Sequence, residues 1–392
     1  MKKTIKELDI YISDGNYSSK YPRSEEFVEE GIPFIRSNNM VDGDITDDEM
    51  YHITPEKHSI LLKGHVKAGD VLITTRGNIG QVAIVPDRHE DSNINAQIVL
   101  LRTNQETLYN RYLLWALQSR EAKEQYLALQ TGTALKQLPV GKLEKLYIEA
   151  TDINKQHEIA DVFDKTYKVI KLRRKELQLL DDLIKARFVE MFGDPIVNEK
   201  GWMTKPLLDM GQCKNGMNFH YDDKGIEINC LGVGNFKNLS VIDNTEELPT
   251  VSLNEMPSEE YLLKDDDIVF VRSNGNKALV GRSLAVYPGD VPTTFSGFCI
   301  RYRKYDNEII VPYLLRVLKT DSMRVKMTGR GANIQNLNQQ ILGTLVIPVP
   351  PIELQEQFAN FVKQVDKSKV AIQAALDKSQ LLFDSLMQKY FG

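Results

Sequence analysis

Long apolar runs are missing from this 392-residue chain, and so are most of the features that staple small secreted folds. No stretch is long and apolar enough to cross a bilayer, and the opening MKKTIKELDIYISDG contains no apolar secretory segment. Cysteine is scarce. Cys213, Cys230 and Cys299 form no CxxC pair and leave one over, which argues against a disulfide framework or a zinc site and for a reducing, cytoplasmic setting. The six histidines are scattered through polar contexts. Catalytic signatures are absent too: there is no GxxxxGK(S/T) loop, no HExxH and no GxSxG. GVGNFKN at 232–238 lacks the third glycine of a dinucleotide fingerprint. Pro350 and Pro351 are followed by Ile352, so the Asn/Asp-Pro-Pro-aromatic tetrapeptide of an adenine methyltransferase is not present. Acid-rich DITDDEM (44–50) and KDDDIV (264–269) read as solvated turns rather than as a nuclease's metal cluster. No charge dominates. A net charge of −5 argues against unspecific attraction to nucleic acid but leaves room for a local basic groove.

What the chain does have is an internal repeat. RFVEMFGD (187–194) resembles the final SLMQKYFG (385–392), and an offset of 199 residues relates Gly193 to Gly392. The same offset pairs Phe192 with Phe391, Leu177 with Leu376, Ala160 with Ala359 and Gln156 with Gln355. LPVGKLEKLYI (138–148) lies over LNQQILGTLVI (337–347). Further back the offset drifts, but YLLWAL (112–117) still meets YLLRVL (313–318), and GDVLITTRGN (69–78) meets DDIVFVRSNG (266–275). The chain is therefore two copies of one unit. The ends of the copies are alike and should do one job twice, whereas their beginnings have diverged and should do different jobs.

The well-matched segment is helical. Residues 153–192 contain no Gly or Pro, and Phe163, Ile170, Leu177, Ile184 and Met191 recur every seven residues. The second copy places Val362, Ile372, Leu376 and Phe383 on the same frame, interrupted by Lys369 and Ser379. About forty residues rising about 1.5 Å each make a rod of about 60 Å. Gly193 is placed as the residue that ends the first rod, and Pro195 cannot continue it. Antiparallel pairing of the rods is expected, with Arg173 and Arg187 loosening the seam or meeting acids across it. Their outer faces are candidate docking sites.

The diverged segments alternate short strands and turns, each followed by an amphipathic helix, at 109–130 and roughly 312–327. The expected fold class is α/β. Two similar mixed α/β domains, at 1–150 and 195–348, are separated by two long antiparallel coiled-coil helices, at 151–194 and 349–392, with internal pseudo-two-fold symmetry. Polar side chains recur in the turns: Arg36, Asn38, Asn39, Thr75, Arg76, Asn78 and Lys136 in the first copy. Arg272, Asn274, Asn276, Lys277, Arg330, Asn333 and Gln335 take comparable places in the second. Arg and Lys can pair with guanine, and Asn and Gln with adenine, so these are candidate DNA-reading residues. Asn is also an ordinary turn former. The plainest alternative is a coiled-coil adaptor without catalysis or DNA specificity.

On these residues the chain resembles the specificity subunit of type I DNA restriction–modification enzymes. The segments that carry the resemblance are LKQLPVGKLEKLYI with INKQHEIADVFD, their counterpart TGRGANIQNLNQQILGTLVIPVPPIELQEQFANFVKQVD, and FVEMFGDPIVNEKGW. The resemblance implies that each globular domain reads half of a split double-stranded DNA site. It implies that the helices set the spacing through residues such as Phe163, Ile170, Leu177, Ile184, Val362, Ile372, Leu376 and Phe383, and dock two methyltransferase subunits. Restriction subunits would join through the methyltransferases. S-adenosylmethionine, ATP and magnesium are expected on those partners, with no cofactor, metal or catalytic residue on this chain and no membrane. One departure stands out: Glu149-Ala150 occupies the place of Pro348-Val349-Pro350-Pro351, so the two strand-to-helix junctions are expected to differ.

Overall fold

The computed structural model describes residues 2–15, 18–132, 136–219, 225–236, 240–328 and 336–392, with the side chain of Lys277 also outside that set. It divides into two compact units, residues 1–175 with 373–392, and residues 176–372. The sequence copies run one after the other, yet the compact units interleave, because each takes part of both long helices.

In the first unit the central sheet runs Tyr11–Asp14, Ile98–Arg102, Val71–Thr74, Val82–Ile84, antiparallel throughout. Val71–Thr74 is buried along its whole length because both faces of the sheet are covered. The pleat sends alternate residues to opposite sides. Val71, Ile73, Val99 and Leu101 join a core with Tyr112 to Leu117, whereas Leu72, Ile98 and Leu100 join one with Ile35, Met40 and Ala83. A second sheet, Tyr51–Ile53, Ile32–Ile35, Asn93–Ile94, has one antiparallel and one parallel step.

The second unit repeats this plan. Its main sheet runs Gly211–Asn215, Cys299–Lys304, Asp267–Val271, Ser283–Val286, and adds Val241–Ile242 at the edge. Thr250–Leu253, Ile226–Leu231 and Thr293–Phe295 form the smaller sheet, again with one antiparallel and one parallel step. Ile268, Phe270, Ile300 and Tyr302 face one core, and Val269, Val271, Leu284 and Cys299 face the other.

Each amphipathic helix expected from sequence is two helices. Asn110–Gln118 gives way to Arg120–Leu129 because the Ser119 hydroxyl caps a new start, accepting from Ala122 N–H at 3.1 Å. Val311–Leu318 and Asp321–Thr328 break at the matching place.

The long helices span Ile153–Phe192 and Ile352–Phe391. Gly193, at φ +75°, ends the first with its N–H on Val189 C=O. Within the first unit Phe163 lies 5.5 Å from Phe391 and 5.4 Å from Phe383, while Arg174 reaches Gln380. Residue numbers rise on one helix as they fall on the other, so the pairing there is antiparallel. Within the second unit Phe188 and Phe192 meet Phe358 at 5.5 and 5.7 Å, and the seam-breaking Lys369 pairs with Asp181 at 2.6 Å. Arg187 pairs with Glu190 on its own helix rather than across the seam.

The two strand-to-helix junctions are alike, against expectation, because the same buried groups brace them. Gln156 is fully buried; its carbonyl accepts from Tyr109 N–H and its amide donates to Thr107 and Thr151 C=O. Gln355 makes the same three bonds to Ile310, Glu308 and Pro350. The Tyr112 hydroxyl donates to Glu149 C=O at 2.8 Å and that of Tyr313 to Pro348 C=O at 2.9 Å. The glutamine amides and tyrosine hydroxyls all donate to backbone carbonyls, which proline keeps, so the change to proline costs none of these bonds.

Gln156→Ala and Gln355→Ala each leave three part-buried or buried backbone groups without their partner, at about 1–3 kcal/mol for each one that water does not reach. Each variant is expected to lose at least about 2 kcal/mol in urea unfolding. A loss below about 0.5 kcal/mol, the ordinary surface range, excludes the bracing role.

Candidate nucleic-acid interface

The polar turns gather where the strands of each unit end. In the first unit Val71–Thr74 runs into Thr75, whose N–H and hydroxyl both donate to Gln97 C=O, at 2.8 and 3.2 Å. Thr75 C=O accepts from Leu138 N–H, and Arg76 bridges to Gln137. Thr74 closes the turn: its hydroxyl donates to Asn78 C=O and accepts from Gln81 N–H. Asn95 N–H, two residues before Gln97, donates to Ile35 C=O, which brings the turn beginning at Arg36 beside this group. Gly15 makes the close approach possible, since a Cβ there would sit 2.2 Å from Asn95 C=O.

The second unit builds the same frame. Arg272 N–H donates to Phe298 C=O, Leu337 N–H to Arg272 C=O, and Ser296 N–H to Leu231 C=O. Ser273 bridges to Asn336. Gly216 plays the part of Gly15, with a Cβ position 2.1 Å from Ser296 C=O. A shallow groove results, lined by Val233, Ser273, Asn274, Gly275, Phe298 and Asn336.

Several candidate side chains are tied into hydrogen bonds within their own turns. Asn39 is fully buried; its oxygen accepts from Arg36 N–H at 3.0 Å and its amide donates to Asp48 C=O. Asn235 braces Gly232 in the same way at 2.9 Å. Thr75 is buried against Gln97. The Arg272 guanidinium is half-buried and donates to Gly297 C=O, and the Asn274 and Asn276 side-chain oxygens accept from Asn276 and Ala278 N–H. These positions shape their turns, the role short polar residues fill in tight loops. Arg36 lies over the Tyr51 ring at 3.4 Å and donates to Glu49 C=O. Asn38, Arg76, Asn78 and Lys136 are exposed. Arg330, Asn333, Gln335 and the Lys277 side chain lie outside the described residues.

Sequence reasoning missed Gln97, Phe298 and Asn336, while Gln137 neighbours the candidate Lys136. Gln97, Gln137 and Asn336 are exposed, and Phe298 is an aromatic left 61% exposed at a strand entrance. The signal was available: NAQ at 95–97 and SGF at 296–298 precede matching apolar strands in the two copies.

The heptad residues are buried to varying degrees along the long helices. Phe163 and Ile170 are wholly buried and Leu376 nearly so, while Leu177, Ile184, Val362, Ile372 and Phe383 are half-buried. Phe163 packs with Phe383 in the core of the first unit, and Ile184 and Val362 pack against the core of the second. The exposed apolar residues of the first helix are Val162, Val169 and Leu172 in the first unit, and Leu179, Leu183 and Val189 in the second.

None of the cysteines is an activated nucleophile. Cys213, Cys230 and Cys299 are free, and burial pushes each thiol up to about 12. No helix among the described residues is long and apolar enough to cross a membrane.

Comparison with known proteins gives the family and the fold. The family model of the type I restriction modification DNA specificity domain matches twice, at residues 12–181 and 199–380. The StySPI type I restriction enzyme specificity subunit of Salmonella potsdam is 22% identical over 391 residues, covering 92% of this chain and 81% of that protein. The crystal structure of the S subunit of the M. genitalium type I restriction–modification system superposes with a TM-score of 0.60 at 17% identity, over all of this chain and 96% of that one. A chain from a structural study of complex assembly and conformational transition in the type I system gives a TM-score of 0.58 at 15% identity, over all of this chain and 97% of that one. Two copies of the specificity domain, spanning most of the chain, show that this protein belongs to the type I restriction–modification DNA specificity family.

Proposed function

We propose that each unit reads one half of a bipartite duplex site, and that the two halves differ in sequence. One observation carries this reading. The two units hold the same hydrogen-bonded loop frame, yet present different side chains on it: Arg76, Gln97 and Gln137 in one, Ser273, Phe298 and Asn336 in the other. A shared frame sets how loops meet a groove, and the side chains set which base edges are favoured. Arg and Gln suit hydrogen-bonded readout, whereas an exposed Phe suits an apolar contact such as a thymine methyl.

As a specificity subunit the chain selects DNA and leaves the chemistry to its partners. The paired long helices hold the gap between half-sites and carry two methyltransferase subunits, through which restriction subunits join. S-adenosylmethionine, ATP and magnesium belong to those partners, and the assembly works in the cytoplasm. The exposed aliphatic residues of the first helix supply the docking contacts in place of the buried heptad residues. With a net charge of −5, the lone subunit binds duplex poorly, and selectivity emerges in the assembled complex.

Arg76→Ala is expected to relax base preference in one half-site only, by about 1–3 kcal/mol for a bidentate contact. Phe298→Ala should alter only the other half-site. Methylome sequencing of cells expressing each variant complex reads both at once. Simultaneous change in both half-sites from either variant rules out one unit per half-site. No selective site under any condition leaves the adaptor reading.

Leu179→Lys combined with Leu183→Lys should abolish co-purification with the methyltransferase subunit while leaving the urea midpoint of the lone chain unchanged. Full assembly of this variant removes the helix face from the docking surface.

A further inference from the structure

The first unit contains a group that DNA reading does not use. Helix Pro55–Ile60 starts on the Thr54 cap and carries His58. Gly64, at φ +80°, turns the chain so that His65 returns to the same place; a Cβ there would meet Gly15 Cα and Ile94 Cγ1 at 3.2 Å. The two imidazole rings lie 4.4 Å apart at 70°. Asp91, at φ +59° and with its side chain 74% exposed, completes the cluster from the turn before Asn93–Ile94.

Hydrogen bonds set the tautomers. His65 Nε2 lies 2.6 Å from Leu61 C=O, which can only accept, so that nitrogen carries the proton. His58 Nδ1 lies 2.6 Å from the Asn93 side-chain oxygen and donates likewise. The other two nitrogens, His58 Nε2 and His65 Nδ1, therefore hold lone pairs. They face the two Asp91 oxygens at 3.5 and 3.9 Å. One ligand atom from each residue lies within 4.8 Å of the others. Two imidazole lone pairs and a carboxylate that converge in this way form a ready donor set for one cation.

We propose that His58 Nε2, His65 Nδ1 and Asp91 bind one divalent transition-metal ion of the zinc class. Bonds of about 2.0–2.1 Å to nitrogen and oxygen place tetrahedral ligands about 3.4 Å apart. The two histidine–Asp91 separations of 3.5 and 3.9 Å are close to that spacing, and rotation of the exposed Asp91 side chain draws the three donors around one ion. Imidazole nitrogen with one carboxylate is a donor set for zinc, nickel or cobalt rather than for calcium or magnesium. Asn93 and Leu61 supply the outer hydrogen bonds that orient the two rings, as in established metal–histidine sites. The exposed Asp91 side leaves the remaining coordination position to water. The ion clamps the 55–65 segment to strand Asn93–Ile94, immediately before the Asn95–Gln97 turn of the interface.

The test uses the full-length chain without a histidine tag. Calorimetric titration with Zn²⁺ should show one ion per chain at micromolar affinity or tighter, and saturating Zn²⁺ should raise the unfolding midpoint. Co²⁺ should give visible d–d bands with no thiolate charge-transfer band. His65→Ala and Asp91→Asn should each weaken binding roughly tenfold or more. Asp91→Asn is the safer variant for folding, because the position is exposed and Asn accepts the left-handed backbone. Absence of stoichiometric binding overturns the proposal. Binding that is unchanged in both variants, or a thiolate band that moves the ion to cysteine, overturns it equally.

Discussion

Neither globular core is closed by the strands and short helices that precede its own long helix. Trp115 and Phe163 are covered by Phe383 and Phe391, which arrive from the far end of the second long helix. Tyr313 and Phe358 are covered by Phe188 and Phe192 from the far end of the first. A fully buried aromatic of this kind contributes roughly 2–3 kcal/mol. Removing either helix end therefore opens a core. The same contacts fix the register of the two helices within each unit.

The duplication has been kept where side chains are tied into hydrogen bonds with buried partners and lost where side chains face solvent. Gln156 and Gln355, Tyr112 and Tyr313, and Asn39 and Asn235 make the same bonds in both units. Asp70 with Arg102 and Asp267 with Arg303 form matching bidentate pairs at 2.7 Å, with each aspartate fully or almost fully buried. Losing one member of such a set leaves a buried group unpaired at about 1–3 kcal/mol, whereas exchange at an exposed loop tip costs within about 0.5 kcal/mol. Specificity can drift on loops whose frame cannot.

That division explains what could be read in advance. The repeat, the long helices and their end at Gly193 were legible because periodicity and glycine chemistry are local. The break at Ser119 was hidden because apolar periodicity continues across it while one hydroxyl starts a new helix. Asn39 and Thr75 looked like readers because composition does not distinguish an amide or hydroxyl tied to its own turn from one that faces outward. Phe298 went unremarked because nothing local in the sequence separates an exposed phenylalanine from a core one. His58, His65 and Asp91 follow no familiar ligand spacing and meet only because Gly64 turns the chain back.

The amino-acid sequence by itself determined the two-copy organisation, the mixed α/β class and the helical ends, since each rests on patterns a few residues to a few turns long. Tertiary structure alone decided which helix end completes which core, which polar turn residues are buried and which are presented, and which distant donors converge. Those outcomes depend on close packing and on hydrogen-bond partners far apart in the chain, and no local pattern encodes them.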